Sequence, residues 1–179
     1  LGLLDSYDEW LLRFELTVDS SIEVQYNGDA VTVFGIQGRT DNTSSVGGSY
    51  GTARAQVQMQ IATANSTRRI QAKAANDTTV GQSGAVLNFE YTNDTKYYIE
   101  VKKTGATSYT IGVGTNSDYT TGRTEGNITA TLTGLRYLHF ESWGQNASYE
   151  SRNGGIIENL KFYAGTSTDV MPSEWKEEG

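Results

Sequence analysis

Apolar and polar residues alternate with a period of two along most of the chain. Over residues 10–18, Trp10, Leu12, Phe14, Leu16 and Val18 fall on one side of an extended backbone, and Arg13, Glu15 and Thr17 fall on the other. That spacing predicts a strand with one buried face. Residues 31–37 predict a second strand, with a bulge or bend at Gly35. The longest alternation covers 53–64, where Ala55, Val57, Met59 and Ile61 oppose Arg54, Gln56, Gln58 and Gln60. Further strands are expected at 69–75, 85–91, 97–103, 108–113, 128–132, 136–143 and 156–163.

Turn chemistry separates these runs. Asn27-Gly28, Gly47-Gly48, Asn93-Asp94 and Lys103-Thr104-Gly105 stand where hairpins need a positive φ or an Asx side chain. No segment sustains the 3.6-residue period of an amphipathic helix. Strands without helices to cover them must bury their apolar faces against each other, so the fold class is all-β: a two-sheet antiparallel β-sandwich of the jelly-roll kind. No internal repeat points to a propeller or solenoid. Residues 1–166 are expected to form the sandwich, and 167–179, which contain the only proline, Pro172, a polar tail or linker.

Three segments in order carry a family resemblance: Trp10-Leu-Leu-Arg-Phe-Glu-Leu, Tyr97-Tyr-Ile-Glu-Val, and Gly134-Leu-Arg-Tyr-Leu-His-Phe followed by Gly155-Ile-Ile-Glu-Asn-Leu-Lys-Phe-Tyr. Together they resemble the concanavalin A-like lectin/glucanase superfamily, in particular the laminin G-like modules of microbial and viral surface proteins. In those modules a Gly-x-Ile-Asp-Asn-like strand closes the sandwich, and Glu158 stands here in place of the Asp. Their usual first strand is missing or lies within residues 1–7. The retaining glucanases of the superfamily carry Glu-x-Asp-x-Glu on one strand, which sets two carboxylates across a glycosidic bond, and this sequence has no such run. The alginate-lyase branch carries Arg-x-Glu-Leu, Gln-Ile-His and a late Tyr. Arg13-Phe-Glu15-Leu16, Gln60-Ile61-Ala62 and Tyr163 are similar, but Ala62 replaces the histidine that would move the proton. The resemblance therefore implies a sugar-binding sandwich rather than a lyase.

Composition narrows the chemistry further. The chain has 179 residues, no Cys, a single His, and a formal net charge of −7. Disulfides, thiolate zinc sites and cysteine nucleophiles are excluded. The acidic balance disfavours nucleic acid, whose phosphates require clustered Lys and Arg. His139 alternates in phase with Tyr137, Glu141 and Trp143 and out of phase with Leu138 and Phe140, so it faces away from the core and joins no catalytic set. No apolar run is long enough to span a bilayer, and the start Leu1-Gly2-Leu3-Leu4 is too short for a signal peptide. Lacking an initiator Met, it reads as the start of a processed product or excised segment. Six of eleven asparagines lie in N-x-[ST] sequons: Asn42, Asn65, Asn76, Asn93, Asn127 and Asn146. Chance would give roughly two, so the excess points to a glycosylated chain outside the cell, on a cell or virion surface.

The polar row Gln56, Gln58 and Gln60 reads in two ways, as a solvated outer face or as the floor of a sugar-binding groove. In the second reading Arg13 and Glu15 join it, Trp143 and Tyr149 supply loop-edge rings for stacking, and Tyr98 is a further candidate. Calcium is the one cofactor considered, with Asp5, Asp8 and Glu9, or Asp41 and Asn42, or Asn116 and Asp118 as ligands. Turn formation by Asx residues accounts equally for all three clusters. The leading expectation is a non-catalytic, extracellular, lectin-like module with glycans as partners. The alternative is a structural subunit of a glycosylated filament, sheath or virion that self-assembles through strand edges or termini, and a polysaccharide lyase ranks last.

Overall fold

A computed structural model describes residues 7–19, 30–37, 56–64, 67–75, 83–129, 135, 137–144 and 154–166. These contain ten strands and no helix: β1 (Trp10–Val18), β2 (Ala30–Gln37), β3 (Gln56–Ala64), β4 (Thr67–Ala75), β5 (Ser83–Glu90), β6 (Lys96–Gly105), β7 (Ser108–Gly114), β8 (Thr124–Thr129), β9 (Tyr137–Gly144) and β10 (Gly155–Ala164). Every ladder is antiparallel. The first sheet has the order β10-β1-β6-β7-β8 and the second β5-β4-β3-β2-β9. The result is a jelly-roll β-sandwich, the fold class expected from the alternation.

The inner faces meet in one apolar core. β1 contributes Trp10, Leu12, Phe14, Leu16 and Val18, β6 contributes Tyr97, Ile99 and Val101, and β7 contributes Tyr109, Ile111 and Val113. Phe34, Ile36, Ile70, Ala72 and Leu87 come from the second sheet. Ring contacts stitch the layers together, with Phe14 and Phe34 5.4 Å apart and Phe89 and Tyr97 edge-on at 5.5 Å. Without cysteines, this packing and the ladders hold the sandwich.

Several local expectations move. The β2 irregularity lies between Thr32 and Phe34, not at Gly35, which pairs in register with Gln58 and His139. The extra residue, Val33, brings Val31, Phe34 and Ile36 into one register phase, opposite Ile61, Met59 and Val57. A strand expected at 128–132 begins upstream as Thr124–Thr129, because its covered positions are Gly126 and Ile128 and a glycine gives no apolar signal. The Asn93-Asp94 turn, with Asp94 at φ 58°, is no hairpin: it carries the chain from β5 in the second sheet to β6 in the first. There the Asp94 N–H donates to the Val18 carbonyl at 2.7 Å. Lys103-Thr104-Gly105 belongs to β6, and Ala106-Thr107 makes the hairpin turn. Asn27-Gly28, Gly47-Gly48, residues 1–6 and the tail 167–179 lie outside the described residues.

Candidate functional site

Among the described residues, the outer face of the first sheet carries the densest chemistry. Alternation turns Leu11, Arg13, Glu15 and Thr17 of β1 away from the core, and the ladders set neighbours beside them. One row across all five strands is Lys161, Arg13, Glu100, Gly112 and Glu125. The next is Glu158, Glu15, Tyr98 and Gly114. On the other side lie Tyr163, Leu11, Lys102, Thr110 and Asn127.

Glu100 is the centre of this surface. It is only 4% exposed and Arg13 only 7%. Arg13 meets Oε2 through Nε at 2.8 Å and through Nη2 at 2.6 Å. Arg123 donates from Nη1 to Oε1 at 2.8 Å, and the Lys102 ammonium lies 3.5 Å from the same oxygen. Burial, the largest single influence on this carboxyl, pushes its pKa up. Hydrogen bonds and charge from Arg123 and Arg13 together outweigh it and hold the group below its usual 4.5. Glu100 is thus an ionised carboxylate with both oxygens engaged.

The loop 115–123 folds over this centre. Arg123 lies flat across β7 because Gly112 and Gly114 have no side chains: a Cβ there would sit 3.2 Å from Arg123 Cδ and 3.1 Å from Arg123 Cβ, respectively. Its guanidinium also donates to the Tyr119 carbonyl at 2.6 Å and pairs with Glu125. Tyr119, at φ 60°, places its ring over Arg13 with the guanidinium carbon 4.7 Å from the centroid. Tyr98 meets that ring edge-on at 5.4 Å and 83°. Asp118 fixes the loop by accepting hydrogen bonds from the Thr120 and Thr121 N–H groups at 2.8 and 2.9 Å and from the Thr121 hydroxyl. These bonds, the Thr121 ones first, lower its pKa from 3.8 to about 2. A second ionic group borders Tyr98: Lys96 lies 2.6 Å from Glu15 and 3.0 Å from Glu158, and Asn159 donates to Glu15 at 2.8 Å. Hydrogen bonds from Lys96 and then Asn159 hold the Glu15 carboxyl below its usual value.

The candidate binding residues do not converge. Arg13 and Glu15 belong to β1 of the first sheet, whereas Gln56, Gln58 and Gln60 pair with Ala75, Lys73 and Gln71 in the second sheet. Trp143 pairs with Thr32, again in the second sheet, and Tyr149 lies outside the described residues. The lyase-like set is divided in the same way, since Arg13 and Tyr163 sit on neighbouring strands of one sheet and Gln60 and Ala62 on the other. Tyr98 does share the face of Arg13 and Glu15, and the rule of alternation supplied it. His139 occupies β9, where the neighbouring Leu138 packs on the core.

Of the sequons, Asn127 is exposed on β8 and accepts a bond from the Thr110 hydroxyl at 2.9 Å, and Asn93 is half-buried in its turn. Asn42, Asn65, Asn76 and Asn146 fall outside the described residues. For calcium, Asn116 spends its amide on the Thr121 carbonyl at 2.9 Å and Asp118 its oxygens on the loop. Among the described residues no three His, Cys, Asp or Glu side chains gather as a metal-holding group. Asp5, Asp41 and Asn42 lie outside them.

Sequence reading alone missed Glu100, Tyr119 and Arg123. Their signal was the alternate phase of Tyr98, Glu100 and Lys102 together with glycines two residues apart at 112 and 114, a mark of close approach.

No protein-family model matches the chain, and no curated protein sequence matches it. Solved structures do. A scytalido-glutamic peptidase is similar with a TM-score of 0.50 at 11% identity, over 90% of this chain and 78% of that one. The chicken-liver agglutinin CG-16, a homodimer, gives 0.48 at 8% identity over 88% and 93%. An alginate lyase from Pseudomonas aeruginosa gives 0.46 at 12% identity over 90% and 66%. At such identities the likeness concerns the fold alone, and it agrees with the strand order: a jelly-roll β-sandwich.

Proposed function

We propose that this chain is a non-catalytic, extracellular carbohydrate-binding module whose ligand lies on the outer face of the first sheet. One observation carries the reading: the half-buried rings of Tyr98 and Tyr119 meet edge-on above a glycine-flattened sheet, the Tyr119 ring over Arg13, and are bordered by Lys96, Lys102, Asn159 and Lys161. Fixed aromatic surface beside convergent polar groups suits a sugar, which has an apolar ring face and a rim of hydroxyls.

Two features support a binding role over catalysis. A general acid needs a proton to give, and Glu100 is ionised with both oxygens bound to guanidinium groups. A lyase of the alginate type would need Arg13 and Gln60 around one uronate, and the ladders put them in different sheets, with alanine at 62. The excess of sequons supports an extracellular setting.

A glycan array followed by calorimetric titration with acidic and neutral polysaccharides tests the proposal. Binding that is lost in Tyr98→Ala, with the fold intact by circular dichroism, is the expected result. Uniform absence of binding rejects it, and release of unsaturated uronate products would replace it with the lyase reading.

A further inference from the structure

β10 is the terminal strand of the first sheet among the described residues, paired with β1 on one side only. It is also unusually bare. Ile156 is 58% exposed, Leu160 46% and Ile157 36%, although Ile157 lies opposite the buried Leu16. A terminal strand with exposed apolar side chains is a template for another strand, and natural sheets ordinarily blunt such edges.

The sequence Ile156-Ile-Glu-Asn-Leu-Lys-Phe-Tyr163 is complementary to itself when read backwards. Ile156 and Ile157 mirror Tyr163 and Phe162, Glu158 mirrors Lys161, and the centre falls between Asn159 and Leu160. In a regular strand such a centre would be useless. Mirrored residues would then differ by an odd number and point to opposite faces, so an antiparallel pair of copies would mismatch every side chain.

The bulge removes this conflict. Arg13 pairs with Lys161 and Glu15 with Glu158, so the one intervening residue of β1, Phe14, is matched by two of β10, Asn159 and Leu160, and Asn159 takes φ 51° to accommodate the extra one. Glu158 and Lys161 therefore share the outer face. Because Arg13 and Glu15 are two residues apart on a regular strand, their partners also present the backbone in the same hydrogen-bonding phase. The same holds for Ile156 with Tyr163, opposite Thr17 and Leu11, and for Ile157 with Phe162, opposite Leu16 and Leu12.

We infer that β10 is a self-pairing edge: two copies of this chain join antiparallel through β10 about a two-fold axis at Asn159-Leu160, making one continuous ten-stranded sheet. Across the axis Glu158 of each copy faces Lys161 of the other, Ile157 faces Phe162, and Ile156 faces Tyr163. The interface is isologous and closes at two copies. It depends on the edge alone and stands whether or not the outer face binds a sugar. A bulge usually turns an edge away from partners, but here it sits on the axis, so both strands bulge together and the register on either side is kept.

Sedimentation equilibrium of the full chain over a range of concentrations is the test, with charge reversal as its control. Glu158→Lys and Lys161→Glu alone each set two like-charged pairs across the axis and are expected to weaken the dimer about tenfold. The double variant restores opposite charges and is expected to recover the dimer. A separate double variant, Glu158→Cys with Lys161→Cys in this cysteine-free chain, is expected to oxidise to a covalent dimer, since facing Cα atoms across a ladder lie about 4.5–5.5 Å apart, within the span of a disulfide. A monomer at every concentration, single reversals that leave the dimer unchanged, or a double cysteine variant that stays monomeric under oxidant each overturn the inference. Circular dichroism of each variant separates loss of pairing from loss of fold.

Discussion

Replacing Glu100 by Gln tests the physical account of the outer face most directly. The substitution keeps the shape of the side chain and removes its charge. Arg13, buried against the sheet, and Arg123 then lose the carboxylate that neutralises them. Removing one partner of a buried ion pair costs about 3–5 kcal/mol, because the other charge stays desolvated. Here Arg13 keeps the Tyr119 ring and Arg123 keeps Glu125 and the Tyr119 carbonyl, so the lower end, about 3 kcal/mol, is expected. That is a large fraction of the 5–15 kcal/mol or so that stabilises a typical domain. With an m-value of about 2–3 kcal/mol per molar, the urea midpoint should fall by about 1–1.5 M, read from fluorescence of the buried Trp10. Glu125→Gln, at an exposed position, is the control and should change stability by less than about 0.5 kcal/mol.

The pH dependence of the same variant gives the sign. The carboxyl of Glu100 has a folded pKa below the usual 4.5. Its contribution is therefore fully present above that value and is lost as pH falls through the folded one. The stability gap between wild type and Glu100→Gln should accordingly be widest near neutrality and narrow below about pH 4.5. A variant as stable as wild type at neutral pH, or a gap that does not shrink in acid, would refute the role assigned to the ion network.

Gly155→Ala should destabilise the sandwich by about 2–4 kcal/mol in the same urea assay, since Gly155 has φ 150° and an added Cβ would run into the Thr17 carbonyl oxygen. In an NMR acid titration the Thr120 and Thr121 amide signals should move with a midpoint of about 2, below the usual 3.8, as Asp118 gains its proton; its loop-holding bonds persist above 3.8 and fail as pH falls through about 2. Gly112→Val should unseat the Arg123 side chain that lies over the bare backbone, lowering stability by about 1–3 kcal/mol and shifting the Tyr119 ring signals.

Strand patterning was legible in the sequence because burial on one face imposes a period of two, and β1 appears with its bounds unchanged from the alternation of Trp10 through Val18. Pairing was not legible. Nothing in Gln60-Ile61-Ala62 states that β3 lies in a different sheet from β1, because strands adjacent in a sandwich are set by long-range closure rather than local pattern. The Asn93-Asp94 turn shows the same limit, as its Asx chemistry specifies a reversal but not whether the chain returns to its own sheet or crosses to the other. In the candidate site, Glu100 sat in an ordinary outward phase, and only three-dimensional closure of the loop 115–123 makes it a buried charge. Arg123 was hidden for a different reason: its place is defined by what Gly112 and Gly114 lack.

The charge arrangement also decides how a ligand would be held. On the outer face Arg13, Arg123, Lys96, Lys102 and Lys161 stand beside Glu15, Glu100, Glu125 and Glu158, so the cations are almost balanced where they sit. Both guanidinium groups are committed to Glu100, and Lys96 bridges two carboxylates. An acidic saccharide would thus meet little net attraction, and what attraction remains lies at exposed lysines, where salt at about 0.15 M screens charges beyond roughly 8 Å. In the proposed binding mode, recognition would then come from the rings of Tyr98 and Tyr119. Binding measured by calorimetry should change less than about threefold between low and physiological salt. It should survive Tyr119→Phe, which keeps the ring over Arg13, and be lost in Tyr119→Ala, which removes it. Steep weakening with salt, or binding indifferent to Tyr119→Ala, would move recognition away from the aromatic platform and onto the lysine rim.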